Sequence, residues 1–378
     1  MSYNRFVILY TSNFCSRIND FFCIDEWVRN GYDVEYWDLS AFTCHEHLAD
    51  YKVKGLTIRV IKNVSEFSKL VKKYQNNKTL YLTWVNYCWY SAKFYRVLSK
   101  NNCEYAFFDN SLIPPISNRK IIKVIFSKRI FNIIKNGFYK YIFKNIDLKA
   151  AKYYFQLSES FIGIDKVNKS TIHGWCNSGD FENNRRLERM KDEKYIVFLD
   201  QYIPYHNDNI LNGYKRVAPE KYFSSLNRCF DIIEKKYGVP IVIAAHPAAT
   251  KYKENNPFNG RDLIYNQTSE LVKSCEMVLA HFTTALSYVV LNDKNLILLT
   301  SDAIKEVRPE IDEFIIRLAD LLGIRCVNQD YATENDFTID ELNIDKYNDY
   351  KYRYLTNRHS ENYSNFENII KVINTNKV

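Results

Sequence analysis

The sequence has few of the residues that interrupt regular structure, with 10 Gly and 8 Pro among 378 residues. Collagen-like repeats and long disordered linkers, which need far more of both, are therefore excluded. The chain also lacks an uninterrupted apolar run of the ~18 residues that a membrane span requires. The stretch from Met1 to Tyr10 is too short for the apolar core and cleavage site of a signal peptide. We therefore expect a folded cytoplasmic protein.

The sequence also lacks paired cysteines: nine cysteines are scattered along it and none stands in a Cys-x-x-Cys motif. This usage argues against a zinc site and against a disulfide framework, and it is typical of reduced cytosolic thiols. There is no Asp-x-Asp motif either. The sequence therefore predicts no metal site.

The net charge of +8 is concentrated in one segment. Between Arg119 and Lys149, nine basic residues stand against one acid, Asp147. Apolar residues recur there at helical spacing, which predicts a basic amphipathic helix. Two interpretations stand: the helix lies on an anionic membrane surface, or it packs on the core with a solvated cationic face. The candidate membrane-surface residues are Lys120, Lys123, Lys128 and Arg129.

The same charge does not indicate a nucleic-acid partner, because no helix-turn-helix, RNA-recognition or zinc-finger pattern accompanies it.

For the membrane interpretation, binding to anionic vesicles that is lost when the four candidate residues become Gln would be the decisive result. Its absence in the wild type would leave a packing helix.

Strand-like and helix-like segments alternate in two series. The first runs from Phe6–Tyr10 to Tyr105–Phe108, and the second restarts at Tyr195–Leu199 and reaches Leu296–Leu299. Such alternation predicts parallel, doubly wound sheets. The predicted fold class is α/β, with two Rossmann-like domains facing each other across a cleft in the GT-B arrangement. The predicted divisions are an N-terminal domain over 1–150, a linker over 151–190, a second domain over 191–330, and a tail with a last helix over 331–378.

Ligands of open α/β sheets bind beyond the carboxyl ends of the strands, so polar residues at those positions are candidates for a site. His246-Pro247 follows the apolar run Val242–Ala245. Because proline fixes φ and cannot continue the ladder, the imidazole is held at the edge of the sheet. His246 there either binds or protonates a phosphate oxygen, or it is a structural turn residue.

A second candidate follows Val278–Ala280, where His281 precedes the pair Thr283 and Thr284. The two threonines can offer hydroxyls and backbone amides to one anion, although threonine also caps helices without any ligand. Glu270, near the start of the preceding helix, suits the helix dipole and could also accept hydrogen bonds from ribose hydroxyls.

Two aspartates also follow apolar strands, Asp109 after Phe107-Phe108 and Asp200 after Phe198-Leu199. Either could take a proton from an acceptor hydroxyl as a general base. The alternative for both is a turn or capping role, which taken alone is the better account of Asp109.

Taken together, His246-Pro247 followed by Thr283-Thr284 in the second Rossmann-like half resembles bacterial GT-B sialyltransferases and related transferases of capsule and lipopolysaccharide clusters. The segment Phe198 to His206 also looks like part of other capsule-cluster glycosyltransferases. The sequence differs from the pattern of these enzymes at two places. Their acidic-acidic-Gly base motif is absent at Asp109, and threonines stand where they have paired serines.

The resemblance implies a role for each candidate. His246, with Pro247, would contact the donor phosphate, Thr283 and Thr284 would cradle it with His281 beside them, and Glu270 would hold the ribose. Asp109 or Asp200 would be the base. The first domain would bind the acceptor and the second the donor.

The implied reaction is metal-independent and inverting. A nonulosonic acid (sialic, pseudaminic or legionaminic acid, or Kdo) passes from its CMP-activated form to a hydroxyl of a glycan or lipid-linked glycan. Its rivals are a CDP-glycerol or CDP-ribitol phosphotransferase, an ordinary nucleotide-diphosphate-sugar transferase, and a non-catalytic envelope-assembly protein. The expected location is cytoplasmic. In the membrane interpretation of the basic segment, the protein is also peripheral on the inner face of the cytoplasmic membrane.

Overall fold

The computed structural model describes most of the chain. The described residues are 3–42, 51–75, 78–87, 91–109, 114, 148–157, 172–188, 194–206 and 215–375. The candidate membrane-surface residues Lys120, Lys123, Lys128 and Arg129 lie outside this set, so the basic-helix hypothesis stays a prediction. Within it, no helix is both long and apolar enough to cross a membrane.

The first sheet has seven parallel strands in the order β3-β2-β1-β4-β5-β6-β7. Its strands are β1 Arg5–Tyr10, β2 Asp33–Asp38, β3 Thr57–Val60, β4 Thr79–Thr83, β5 Glu104–Phe108, β6 Tyr153–Gln156 and β7 Gly174–Trp175. The inner strands are buried along almost their whole length, as expected when helices cover both faces of a parallel sheet. The edge strand β3 is largely exposed.

Four described helices connect the first five strands. They are α1 Ser16–Phe22, α2 Ile24–Arg29, α3 Val64–Lys73 and α4 Ala92–Lys100, with a short 3₁₀ turn at Ser40–Phe42. Asn63 caps α3 by accepting a hydrogen bond from the Glu66 amide. Trp27 of α2 is fully buried against Phe6 of β1, with ring centroids 4.5 Å apart. Large aromatic side chains therefore fill much of this core.

The second sheet has six parallel strands in the order β10-β9-β8-β11-β12-β13. Its strands are β8 Ile196–Leu199, β9 Ile241–Ala245, β10 Leu263–Tyr265, β11 Met277–Ala280, β12 Asn295–Thr300 and β13 Arg325–Asn328. The central strands β8, β9 and β11 are apolar runs buried at every residue. The order is that of a Rossmann sheet, in which the winding reverses at the first strand.

The remaining helices are α5 Gly179–Arg186, α6 Pro219–Tyr237, α7 Thr268–Ser274, α8 Leu286–Leu291, α9 Asp302–Val307, α10 Pro309–Leu322, α11 Ile344–Tyr354 and α12 Asn365–Thr375. Short 3₁₀ turns lie at Thr250–Lys253 and Glu334–Phe337. The long helix α6 begins at a proline and ends at Gly238, whose φ of 66° suits the left-handed cap. The sequence predicts this helix with the same bounds.

The compact units differ from the predicted divisions. One unit takes in Met1–Leu112, Phe131–Asn183 and Tyr352–Val378, and the other takes in Ile113–Ile130 and Asn184–Lys351. The predicted linker over 151–190 contains β6 and β7, which extend the first sheet. These strands are four and two residues long, too short for a periodicity to show against their polar surroundings.

The predicted tail over 331–378 divides between the units. Its last helix, α12, packs on the first unit through Phe366, Ile369 and Ile373, which recur at helical spacing. The Phe366 ring lies 5.0 Å from that of Trp27. Asn365 anchors the start of α12, because its amide group donates to the carbonyls of Phe21 at 2.6 Å and Asn177 at 2.9 Å.

Candidate functional site

The candidate residues of the second unit lie along the carboxyl edge of its sheet. Strand β8 stands between β9 and β11, where the winding reverses, and this is the position at which α/β sheets bind ligands. Asp200 follows β8, His246 follows β9, and His281 and Thr283 follow β11. The fold thus brings these sequence-predicted positions to three adjacent strand ends.

His246 is half-buried and opens a turn immediately after β9. Its carbonyl accepts a hydrogen bond from the Ala249 amide at 2.8 Å, and its Nδ1 accepts one from the Ala248 amide at 3.1 Å. Because Nδ1 is an acceptor, the neutral ring carries its proton on Nε2. His246 is therefore oriented as a hydrogen-bond donor through Nε2. Pro247 is exposed beside it.

Asp200 ties the ends of β8 and β9 together. Its Oδ2 accepts from the His246 amide at 3.3 Å, and its Oδ1 accepts from the Tyr202 amide at 3.0 Å and the Tyr252 hydroxyl at 3.3 Å. Burial raises the pKa of this carboxyl to about 6, although these hydrogen bonds lower it. With only 5% of its surface exposed, Asp200 is placed to hold the His246 loop.

The ends of β8 and β11 are joined by a side chain. Oε1 of Gln201 accepts from the Phe282 amide at 2.9 Å. Thr283, next in the chain, is half-buried and its Oγ1 accepts from the Ala285 amide at 3.2 Å, while Thr284 is exposed. The N-cap residue of helix α8 is Ala285, which makes no side-chain capping hydrogen bond. The hydroxyl of Thr283 therefore stabilises the turn before the helix, and Thr283 is not the N-cap.

The structure corrects the assignment of His281 to the donor site. This side chain is fully buried, its Nδ1 donates to the Leu299 carbonyl at 2.7 Å, and its Nε2 lies 3.0 Å from the Tyr222 hydroxyl. Burial lowers its pKa to about 4. The neutral imidazole thus connects β11 to β12 and α6 inside the core, where no ligand reaches it.

Two further candidates belong to other elements of the fold. Glu270, half-buried in α7 after β10, accepts from the Ser269 hydroxyl at 2.8 Å. In the first unit, Asp109 is half-buried beyond β5, and its Oδ2 accepts from the Tyr154 hydroxyl at 3.2 Å. Asp109 is therefore more accessible than Asp200.

Sequence reasoning missed three residues at this edge: Gln201, Tyr252 and His206. Gln201 and Tyr252 make the links described above, and the His206 ring lies 5.2 Å from that of His246. The signal that could have found Gln201 and His206 is their place after β8, the first strand of the second series. Nothing in the local sequence indicates that Tyr252 reaches Asp200.

Among the described residues, no group of three His, Cys, Asp or Glu side chains could hold a metal ion.

Comparison with known proteins identifies similar folds only. No profile of a known protein family matches the chain, and no curated protein sequence matches it. A variant of the wall teichoic acid polymerase TagF is similar in structure, with a TM-score of 0.53 and 11% identity over 98% of this chain and 90% of that chain.

Two other solved structures are similar to the chain. The UDP-GlcNAc 2-epimerase of Methanocaldococcus jannaschii has a TM-score of 0.50 and 14% identity over 98% of this chain and 99% of its own. The calicheamicin glycosyltransferase CalG4 has a TM-score of 0.50 and 9% identity over 99% of this chain and 100% of its own. The predicted fold class is confirmed: the chain has a GT-B-like fold built on two Rossmann-type parallel sheets.

Proposed function

We propose that the chain is a glycosyltransferase that moves a nonulosonic acid from a CMP-activated donor to a hydroxyl of a surface glycan or lipid-linked glycan. The observation that carries the proposal is the geometry of His246. Its imidazole follows a central strand at the reversal of the sheet, and Asp200 fixes its backbone from the neighbouring strand end. Such a position suits a group that contacts the phosphate of a nucleotide.

The orientation of His246 supports a role as a hydrogen-bond donor. With Nδ1 accepting from Ala248, the Nε2–H donates to a phosphate oxygen. As the bond between the anomeric carbon and the phosphate breaks, negative charge grows on the phosphate, so this hydrogen bond strengthens in the transition state. CMP leaves as a phosphate monoester. Full proton transfer from His246 would first require protonation at Nδ1 and loss of the Ala248 bond.

Thr283 and Thr284 are proposed to bind the same phosphate from the end of β11, which lies on the other side of β8 from β9. Glu270, with its carboxylate near the start of α7, is proposed to accept from the ribose hydroxyls. The acceptor hydroxyl attacks the anomeric carbon from the face opposite the phosphate, which inverts the configuration. The proposed reaction needs no metal ion.

The proposed base is Asp109. We expect Asp109→Asn to lower turnover by about 10²-fold or more, because a general base contributes about that factor, while nucleotide affinity is unchanged. Asp200→Asn is expected to weaken nucleotide binding as well, since Asp200 holds the His246 amide. Turnover rates and dissociation constants of the two variants, measured side by side, check the assignment. Unchanged turnover in Asp109→Asn would reject it as the base.

A second candidate function is transfer of glycerol phosphate or ribitol phosphate from a CDP-activated donor. The similarity to the wall teichoic acid polymerase favours it, because teichoic-type polymers are built from such units. In this reaction the donor phosphate is transferred and not lost. Both functions need the same phosphate contacts, so the leaving nucleotide distinguishes them.

Thermal stability with nucleotides tests the proposed function directly. CMP at 100 times its dissociation constant is expected to add about 2.7 kcal/mol to the unfolding free energy, because it binds only the folded state. The melting temperature is measured with CMP, CDP, UDP and GDP, with cytidine as the control that lacks the phosphate.

Each outcome of the panel has a different meaning. A shift with CMP alone supports the nonulosonate transferase, and a preference for CDP supports the polyol-phosphate transferase. A preference for UDP or GDP moves the donor to ordinary sugar nucleotides. If no nucleotide shifts the transition, the non-catalytic envelope-assembly protein becomes the better account, held at a membrane through the basic segment 119–149.

A further inference from the structure

A second histidine lies beside His246. His206 lies in the segment that follows β8, whereas His246 follows β9. The two half-buried rings meet edge to face, with centroids 5.2 Å apart and planes at 74°. The two imidazoles therefore come from different strand ends and meet at the reversal of the sheet.

The described part of the His206 segment, residues 200–206, makes anchoring contacts of its own. Asp200 begins this loop and accepts the His246 amide, so one buried carboxylate fixes both segments. Tyr202 and Tyr205 pack within the loop, with ring centroids 5.4 Å apart, and each ring also lies within 6.5 Å of that of Tyr252. These contacts position the histidine pair before any ligand arrives.

A lysine places a positive charge beside Tyr205, the neighbour of His206 in the chain. Nζ of Lys251, an exposed residue of the 3₁₀ turn after His246, lies 4.6 Å from the centre of the Tyr205 ring. Two adjacent imidazoles carry ring N–H groups that can donate hydrogen bonds to an anion. A group with several anionic oxygens can also accept from both rings at once.

We propose that His206 is a second imidazole of the phosphate site formed with His246, and that Lys251 lies at its rim. The ligand class is the phosphate or diphosphate of a nucleotide-activated donor. This inference rests on the proposed function for the identity of the donor, but the phosphate contact itself does not depend on which base or sugar the donor carries.

Calorimetric titration with inorganic pyrophosphate tests the contact directly. His206→Gln is expected to weaken pyrophosphate binding about tenfold, as loss of one charge-assisted hydrogen bond does, and Lys251→Gln by a smaller factor. His359→Gln is the matched control, because His359 is an exposed histidine that stacks on Trp175 in the first unit. Melting temperatures of all variants verify that they are folded.

A second titration distinguishes direct contact of His206 with the phosphate from a role of His206 in stabilising the segment after β8. For the nucleotide that gives the largest thermal shift, His206→Gln should weaken binding of the nucleotide and leave binding of its nucleoside unchanged. An equal loss for both ligands, or unchanged pyrophosphate affinity in His206→Gln, would overturn the inference. So would failure of the wild type to bind pyrophosphate at millimolar concentration. Binding of pyrophosphate that His206→Gln weakens, with no binding of any nucleotide, would support the inference and reject the proposed function.

Discussion

Replacing His246 by alanine is expected to lower the turnover rate by about 10²- to 10⁴-fold, the range typical of a group that acts on charge developing in the transition state. The residue follows a central strand of the second sheet, and its Nδ1 accepts from the Ala248 amide, so the neutral ring carries its proton on Nε2, the proposed donor to the phosphate. The loss should appear mainly in kcat, because the contact strengthens as the phosphate leaves. Initial rates with the donor selected by the nucleotide panel provide the measurement.

His246→Gln sharpens this experiment. A glutamine amide can donate a hydrogen bond from nearly the same place but cannot transfer a proton, so partial recovery relative to alanine identifies His246 as a hydrogen-bond donor. Equal loss in both variants would indicate proton transfer. Turnover close to that of the wild type in His246→Ala, with His359→Ala as a folding-neutral control, would remove the basis of the proposed function.

The wild type is expected to lose about 3 kcal/mol of unfolding free energy relative to His281→Gln as the pH falls from 7 to 4. Burial lowers the pKa of His281 to about 4 in the folded protein, against an ordinary value of 6.5. Between these values the unfolded chain binds a proton that the native state excludes. The contribution of neutral His281 to the unfolding free energy is therefore complete above its pKa in the unfolded chain. It is lost as the pH falls toward its pKa in the folded protein. Urea unfolding of both proteins at a series of pH values measures it.

Asp200 provides a control for the same unfolding measurement, because its contribution to the unfolding free energy changes with pH in the opposite direction to that of His281. Burial raises its pKa to about 6 from an ordinary 3.8, so the native state favours the protonated form. Relative to Asp200→Asn, the wild type should therefore gain stability as the pH falls from above 6 toward 3.8, and lose it as the pH rises. Parallel pH profiles for the wild type and His281→Gln would contradict the buried, neutral state of His281.

Much of the fold could be predicted because parallel strands are buried on both faces and therefore appear as apolar runs. In the second sheet, residues 196–199 lie within the predicted strand Tyr195–Leu199, and the apolar runs 242–245 and 278–280 lie within β9 and β11. Strands β6, β7 and β13 are missing from the prediction, since β6 and β7 are very short and β13, Arg325–Asn328, has two charged or polar members and is only partly buried. The apolar pattern of the local sequence carries little information about a strand that is defined only by its hydrogen-bonded pairing with a neighbouring strand.

The site could be predicted only as a set of strand ends. The place of His246 follows from an apolar strand that runs into proline, and the structure agrees. The burial of His281 could not be inferred, because the same strand end directs Thr283 and Thr284 outward and His281 into the core. Nor could the pairing of His206 with His246, since their loops are distant in sequence and meet only because β8 and β9 are neighbours.

The return of α12 to the first unit has a consequence for the order of folding during synthesis. The second sheet lies within one continuous stretch, 184–351, and has all its strands once that stretch has left the ribosome. The first sheet is translated earlier, yet the face around Trp27 stays uncovered until Phe366, Ile369 and Ile373 arrive. The unit made first is therefore completed last, and in the interval its exposed aromatic surface is a site at which chaperones would bind a nascent chain.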